Sequence, residues 1–247
     1  MHSLISSRSV GIAGLLAACV LAACSNGGDE GLLITKNVAV LTTAGGCVFT
    51  GSPSEPFLPH GTVDVLSEGY LLHPQFLSRI QFDATDPAQM AQRTAIMTDA
   101  NVDVTFPDPN LFSAAELADL KSAGLTHFKA LFSVPVPPGG TADAEVEVIH
   151  RPLIDKIVAK NPTGNVEILV SLVANGEMSG QSVNSQRFDY PVSLVSGLAV
   201  NLGACPLPLG TILASTGNPC NPFQDSQVDC CDAGSGNLVC PAEVSTQ

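Results

Sequence analysis

The sequence predicts a mainly β protein: an immunoglobulin-like antiparallel β-sandwich with one or two short helices and a disulfide-rich, irregular C-terminal segment. Three observations carry this. Short stretches alternate apolar and polar residues and are separated by Gly and Pro, which number 22 and 18. One segment alone carries a full set of helix signals. Five cysteines crowd between Cys205 and Cys240, where little else can pack.

Taken in order, "TVDVL" (62–66) alternates, and Ser67-Glu68-Gly69 turns it into the β-prone run "YLLHPQFLSRIQF", where Pro74 marks a bulge or edge. "DPAQMAQ" opens a helix of one or two turns, with Asp86 as cap and Pro87 in the first turn. "RTAIMTDANVDVTF" (93–106) reads as a strand bent near Asp99-Ala100-Asn101. In "NLFSAAELADLKSAGL", Ser113 and Glu116 make a capping box, Leu117 and Leu120 share a face, and Gly124 marks the stop. "THFKALFSVPV" (126–136) turns Phe128, Ala130, Phe132 and Val134 inward, and "PPGG" ends it. "ADAEVEVIH" (142–150) alternates again, and a short helix runs from Pro152. "NVEILVSLVAN" (165–175) is a long strand that Gly176 to Gly180 turns into "QSVNSQRFDYPVSLV" (181–195). Such strands follow one another mainly as antiparallel hairpins.

The N-terminus reads as an export signal. Arg8 is followed by the uncharged run "GIAGLLAACVLAAC", shorter than the roughly 20 apolar residues a membrane-spanning helix needs. It ends in Leu21-Ala22-Ala23-Cys24, which resembles a bacterial lipobox. The resemblance implies cleavage before Cys24 and lipid attachment to it. Leu16-Ala17-Ala18-Cys19 is an upstream alternative that would leave apolar residues in the tether. Ser25 is not the Asp that signals inner-membrane retention, so the outer membrane is expected. The expected organisation is a signal peptide (1–23), a tether (24–35), a β-sandwich (36–204) and a cysteine-rich segment (205–247).

Loss of Arg8 takes the formal net charge from −13 to −14. Such a surface repels nucleic acid and anionic headgroups. Charged residues are 13% and hydrophobic residues 45% of the chain, which excludes a disordered acidic chain. The absence of Trp argues against an aromatic sugar-binding face.

Cys19 leaves with the signal and Cys24 takes the lipid. Cys47, Cys205, Cys220, Cys230, Cys231 and Cys240 remain, an even set that reads as three disulfides in an exported protein. Adjacent cysteines rarely bond each other, so Cys230 and Cys231 are expected to reach different partners. Cys47 is expected to tie the N-terminal region to the tail. Fifteen pairings remain open. Zinc ligation usually shows C-x2–4-C or H-x3–5-H pairs, and neither spacing occurs among the six remaining cysteines or the histidines.

The segments "LFSVPVPPGGTADAEVEVI", "GNVEILVSLVANGEMSGQSVNSQRFDYPVSLV", "NPCNPFQDSQVDCC" and "LVCP" resemble a family of uncharacterised, cysteine-tailed exported lipoproteins of myxobacterial type. The resemblance covers roughly residues 36 to 241 and implies no particular activity. "VSGL" (195–198) stands where the family pattern would have further cysteines, so it transfers no pairing. The strand–turn–strand–helix–strand order is also similar to the water-stress, late-embryogenesis type of immunoglobulin-like domain.

No G-x-S-x-G, H-E-x-x-H or C-x-x-C occurs. His60 and Asp64 are weak metal candidates, outweighed by a loop histidine and an ordinary strand aspartate. Asp99, Asn101 and Asp103 imitate the opening of a calcium loop but lack its Gly and terminal Glu. Asn218, Asn221, Asp225, Asp229 and Asp232 could bind calcium weakly or serve as turn formers. The expected function is therefore a lipid-anchored structural or binding module of the cell envelope, meeting the membrane through Cys24 and an envelope protein partner. No catalysis and no cofactor are expected. The alternatives are an envelope hydrolase with a dispersed site and a small-ligand or calcium carrier.

Overall fold

The computed structural model describes residues 31–43, 46–49, 54, 56–81, 85–163, 165–207, 215–234 and 236–240. The signal peptide, Cys24 and most of the expected tether lie outside the described residues. In chain order the first strands are β1 (Leu32–Val38), β2 (Leu41–Thr43), β3 (Gly46–Val48), β4 (Phe57–Leu58), β5 (Gly61–Asp64), β6 (Gly69–Leu72) and β7 (Pro74–Ser78). Helix α1 (Pro87–Arg93), β8 (Ala95–Thr105), α2 (Ala114–Ser122), β9 (His127–Val136), β10 (Thr141–Asp143), β11 (Val146–His150) and α3 (Arg151–Lys160) follow. The chain continues with β12 (Val166–Met178), β13 (Gln181–Asn184), β14 (Phe188–Val195), β15 (Ala199–Ala204), β16 (Val228–Asp232) and β17 (Leu238–Val239).

Among the described residues the protein is mainly β, with several sheets, three helices and disulfides among the C-terminal cysteines. A six-stranded sheet runs β5-β14-β12-β8-β9, with β13 hairpinned onto β12. A four-stranded sheet runs β10-β7-β1-β4, and β11 and β6 form a separate pair. Pairing is antiparallel except between β14 and β5 and between β15 and β16. The inner residues of these sheets share one apolar core. Met97, Val102, Val136, Val170 and Leu172 come from the six-stranded sheet, and Leu32, Tyr70, Leu72, Phe76 and Val148 from the facing layer. Leu153, Ile154 and Ile157 of α3 join the same core. Each fully buried residue of this kind contributes about 1.5–3 kcal/mol through loss of apolar surface from water.

Strand β1 begins at Leu32, so residues 32–35 belong to the sheet and not to the tether. Burial of Leu32 and Ile34 fixes them there. Near Asp99, where a bend is expected, β8 carries an irregularity between Met97 and Asp99 in its pairing with β9. Its partner β12 shifts at Asn175/Gly176. Gly176 is needed there: a Cβ would sit 2.3 Å from the Ile96 carbonyl oxygen. The hairpin turn itself is Ser179-Gly180, both at positive φ, which suits the twist of the flanking strands. Helix α2 has the expected Ser113/Glu116 box and Gly124 in the left-handed region. Only Leu120 of its apolar pair is buried; Leu117 stays exposed, because α2 lies at the edge of the core.

Two runs that read as single strands each divide between two sheets. The run from Tyr70 breaks at His73: β6 pairs with β11, whereas β7 pairs with β1 and β10. The run 142–150 breaks at Ala144-Glu145, giving β10 and β11. The two breaks lie side by side, joined by the Ala144 N–H, which donates to the Pro74 carbonyl at 3.3 Å. Proline at position 74 cannot donate to a ladder, so the sheet parts there.

Strand β5 meets the core at its glycine. A Cβ on Gly61 would lie 2.4 Å from Tyr70 Oη and 2.6 Å from Cζ. Tyr70 is fully buried and its hydroxyl is bonded, so the ring has nowhere to retreat. Gly61→Ala should lower stability by about 2–3 kcal/mol in urea unfolding, the usual scale of overpacking. A loss below about 0.5 kcal/mol would show that Tyr70 relocates freely.

Candidate functional site

The C-terminal segment is clamped onto the β body. The bridges are Cys47–Cys220, Cys205–Cys231 and Cys230–Cys240. The adjacent cysteines thus reach different partners, and Cys47 ties the N-terminal region to the tail. Pairing of β15 with β16 carries the sheet across the expected 204/205 boundary. Val228, Cys230 and Cys240 form a small core of their own.

Between these cysteines, residues 221–225 run along β5. The Asp64 N–H donates to the Phe223 carbonyl at 2.9 Å, and the Asp225 N–H to the Thr62 carbonyl at 2.8 Å. Gln224 therefore bridges Val63 as a one-residue extension of the sheet. Its side chain then reaches the other layer. Leu71 N–H donates to Gln224 Oε1 at 2.8 Å, and Gln224 Nε2 donates to the Leu71 carbonyl at 2.6 Å. A side-chain amide replaces a strand for one pair of bonds. Asn221 Nδ2 adds a bond to the Gly69 carbonyl at 2.7 Å.

A buried polar chain lies under this clasp. Asn37 Nδ2 donates to Tyr190 Oη at 2.8 Å, Tyr190 and Tyr70 hydroxyls lie 3.3 Å apart, and Tyr70 Oη donates to Asp225 at 3.1 Å. Thr62 N–H donates to Asp225 Oδ1 at 2.7 Å. Burial raises the pKa of Asp225 against the pull of these donors. Burial and then the Asp225 charge raise Tyr70 well above its usual value, and burial pushes Tyr190 up to about 12. Each member has a partner, which rigidifies the join.

At the outer end of the clasp, the two strand breaks place four metal-ligating groups together. His73 Nε2 lies 3.4 Å from Glu145 Oε2, and Cys47 Sγ lies 3.7 Å from the same oxygen. Cys220 completes a group whose ligand atoms all lie within 4.8 Å of one another. The His73 side chain is buried and Glu145 is exposed. The His73 ring packs 4.4 Å from Phe49, and the backbone N–H of His73 donates to Asn37 Oδ1 at 2.8 Å. Burial holds His73 below the usual imidazole value, with Glu145 pulling the other way. No spacing pattern could announce this corner, because its members come from four distant segments.

His60 and Asp64 are not brought together. The Asp64 carboxylate is buried and accepts from the N–H groups of Leu66, Gly197 and Leu198. His60 instead joins Glu167 and Ser193 on the outer face: its Nε2 is 3.3 Å from Glu167 Oε2 and 3.1 Å from Ser193 Oγ. A Ser–His–acid relay needs the serine and the acid on different ring nitrogens. Here both share Nε2, so the acid does not orient the imidazole as a base for Ser193. Asp99 and Asp103 also face outward, Asp99 with Lys129 at 3.1 Å and Asn175 at 2.6 Å, Asp103 with His127 at 2.6 Å. In the tail, Asn218 accepts from Cys220 N–H, Asp229 from Ser215 N–H and Asp232 from Gly234 N–H. Asn218 and Asp232 bond two residues on, the turn-forming role of Asn and Asp, whereas Asp229 ties β16 to Ser215, 14 residues away.

A comparison with protein-family models finds no match, and one with curated proteins finds none either.

The outer-face cluster has a measurable signature. The Ser193 hydroxyl, and more weakly His60, hold Glu167 below the usual carboxylate range. A depressed carboxylate stabilises the fold above its unfolded value of about 4.3 and loses that contribution as pH falls through the folded value. In Ser193→Ala the Glu167 midpoint should move up toward the ordinary value in a carboxyl NMR titration, and the acid limb of the stability profile should move with it. An unchanged midpoint would show that the serine is not the cause.

Proposed function

We propose that the chain is a lipid-anchored, immunoglobulin-like structural or protein-binding module of the cell envelope that works without catalysis. The observation that carries this reading is the commitment of most of the acidic candidates read from the sequence to holding the fold. Asp64 caps backbone, Asp225 closes a buried network, and Asp99 and Asp103 lie in cross-strand pairs. His60 offers one nitrogen to both of its partners. Three disulfides suit a protein that works outside the reducing cytosol.

The lipid at Cys24, the position at the outer membrane and kinship with the cysteine-tailed lipoproteins belong to the same proposal. They rest on the Leu-Ala-Ala-Cys motif, Ser25 and the quoted segments. No helix among the described residues is long and apolar enough to cross a membrane. A lipid on Cys24 would therefore act as the anchor for a folded body held on a short polar tether. Partners would be envelope proteins, since the net charge of −14 that remains after loss of Arg8 disfavours nucleic acid and anionic lipid surfaces.

Metabolic labelling with an alkyne fatty acid should mark the wild-type protein, and Cys24→Ala should lose the label and move to the soluble fraction. A Cys24→Ala protein that stays in the membrane fraction without label would overturn the anchor. In-cell crosslinking from the mature, anchored protein should recover envelope proteins.

A further inference from the structure

We infer that Cys47, Cys220, His73 and Glu145 form a redox-gated zinc site, closed as a disulfide when oxidised and opened to Zn2+ by an external dithiol. The inference goes beyond the module reading and would stand without it.

Two nitrogen or oxygen ligands about 2.05 Å from zinc lie about 3.3 Å apart along a tetrahedron edge, and a sulfur–oxygen edge is about 3.6 Å. His73 Nε2 and Glu145 Oε2 are 3.4 Å apart, and Cys47 Sγ is 3.7 Å from that oxygen. One edge set of the coordination shell therefore exists before any metal arrives. Once the S–S bond is broken, the sulfurs need only separate to an edge of about 3.8 Å. The donors are two thiolates, one imidazole and one carboxylate, a set suited to zinc.

The corner also has the inner and outer halves that such a site needs. His73 is held from within, by Phe49 against its ring and Asn37 on its backbone. Glu145 and Cys47 face solvent, which supplies the entry path. Their accessibility distinguishes this bridge from Cys230–Cys240, whose cysteines are 0% and 1% exposed. An attacking thiolate needs access to a sulfur, and Cys47 offers it.

The chemistry balances with a dithiol as reductant. One thiolate attacks Cys47 Sγ, the S–S bond breaks, and Cys220 leaves as a thiolate that takes a proton. The second thiol of the reductant displaces Cys47, so the dithiol becomes a disulfide and gives up two electrons and two protons. Zinc then binds both cysteine sulfurs and releases those two protons to solvent. The metal replaces the covalent link between the β2–β3 hairpin and the tail, so either state fastens the clasp.

The test uses the detergent-solubilised mature protein, treated anaerobically with limiting dithiothreitol, freed of reductant and titrated with Co2+ as a spectroscopic stand-in for Zn2+. Thiol mapping should find Cys47 and Cys220 reduced first. The reduced protein should bind one equivalent of Co2+ with thiolate charge-transfer and tetrahedral d–d bands, displaced by Zn2+. The oxidised protein should bind at least about 100-fold more weakly. Glu145→Gln, at an exposed position, should weaken binding about tenfold or more without unfolding the chain. The double variant Cys47→Ser/Cys220→Ser should show no thiolate band. Reduction that starts at Cys205–Cys231, a reduced protein with no thiolate band, or a Glu145→Gln protein that binds as tightly as wild type would each overturn the site.

Discussion

The arrangement turns on one side chain. Gln224 takes the place of a strand at the join between β5 and β6, its backbone bridging Val63 and its amide bonding both peptide groups of Leu71. A buried sheet edge without partners loses about 1–3 kcal/mol for each unsatisfied group. The tail removes that loss on β5, and with it an exposed edge open to pairing with another chain. Asp225, the next residue, extends the same contact to Tyr70 and, through it, to Tyr190 and Asn37. The segment that looks least structured by composition thus joins the two layers.

The disulfides act on this join by holding the tail where its side chains can bond. The Cys47–Cys220 bridge closes a separation of 173 residues, which restricts the unfolded chain far more than the 10-residue Cys230–Cys240 link. The local bridge instead supplies a small core that the tail otherwise lacks. Cys47–Cys220 lies beside the place where β6–β7 and β11–β10 both part between sheets. Strand breaks leave side chains outside the pleat's alternation, and His73 and Glu145 therefore turn toward each other and toward the bridge. The metal-ligating corner is a product of the seam.

Much of the local structure was legible beforehand. The Ser113/Glu116 box, the "PPGG" turn, and the inward Phe128, Ala130, Phe132 and Val134 follow from period and capping, which act over a few residues. The end of β12 does not: it runs through Gly176 to Met178, past the Asn175 at which the sequence reading stops it. Pro74 marks a bulge or edge in its run, but the division of that run between two sheets at His73 was not legible, because a β-prone run does not say which sheet it joins. Leu117 carried the helical pattern of a core residue yet stays exposed, since α2 rests at the margin of the core. The His60 and Asp64 pairing failed for a related reason. Proximity in sequence set them near one strand end, but Asp64 is drawn inward by three backbone donors and His60 outward by Glu167.

By itself the sequence determined the class of the fold, the even set of six cysteines, the separate destinations of Cys230 and Cys231, and the link from Cys47 to the tail. These follow from periodicity and the geometry of adjacent thiols, which are local rules, and from the parity of the cysteine count, which leaves Cys47 to pair with the tail. Only the tertiary structure decided that Cys47 takes Cys220, that Gln224 enters the sheet, and that His73 and Glu145 meet at that bridge. Each is a contact between segments whose separation along the chain carries no information about their distance in space. It is set by burial of the shared core and by the need of each buried peptide group for a partner.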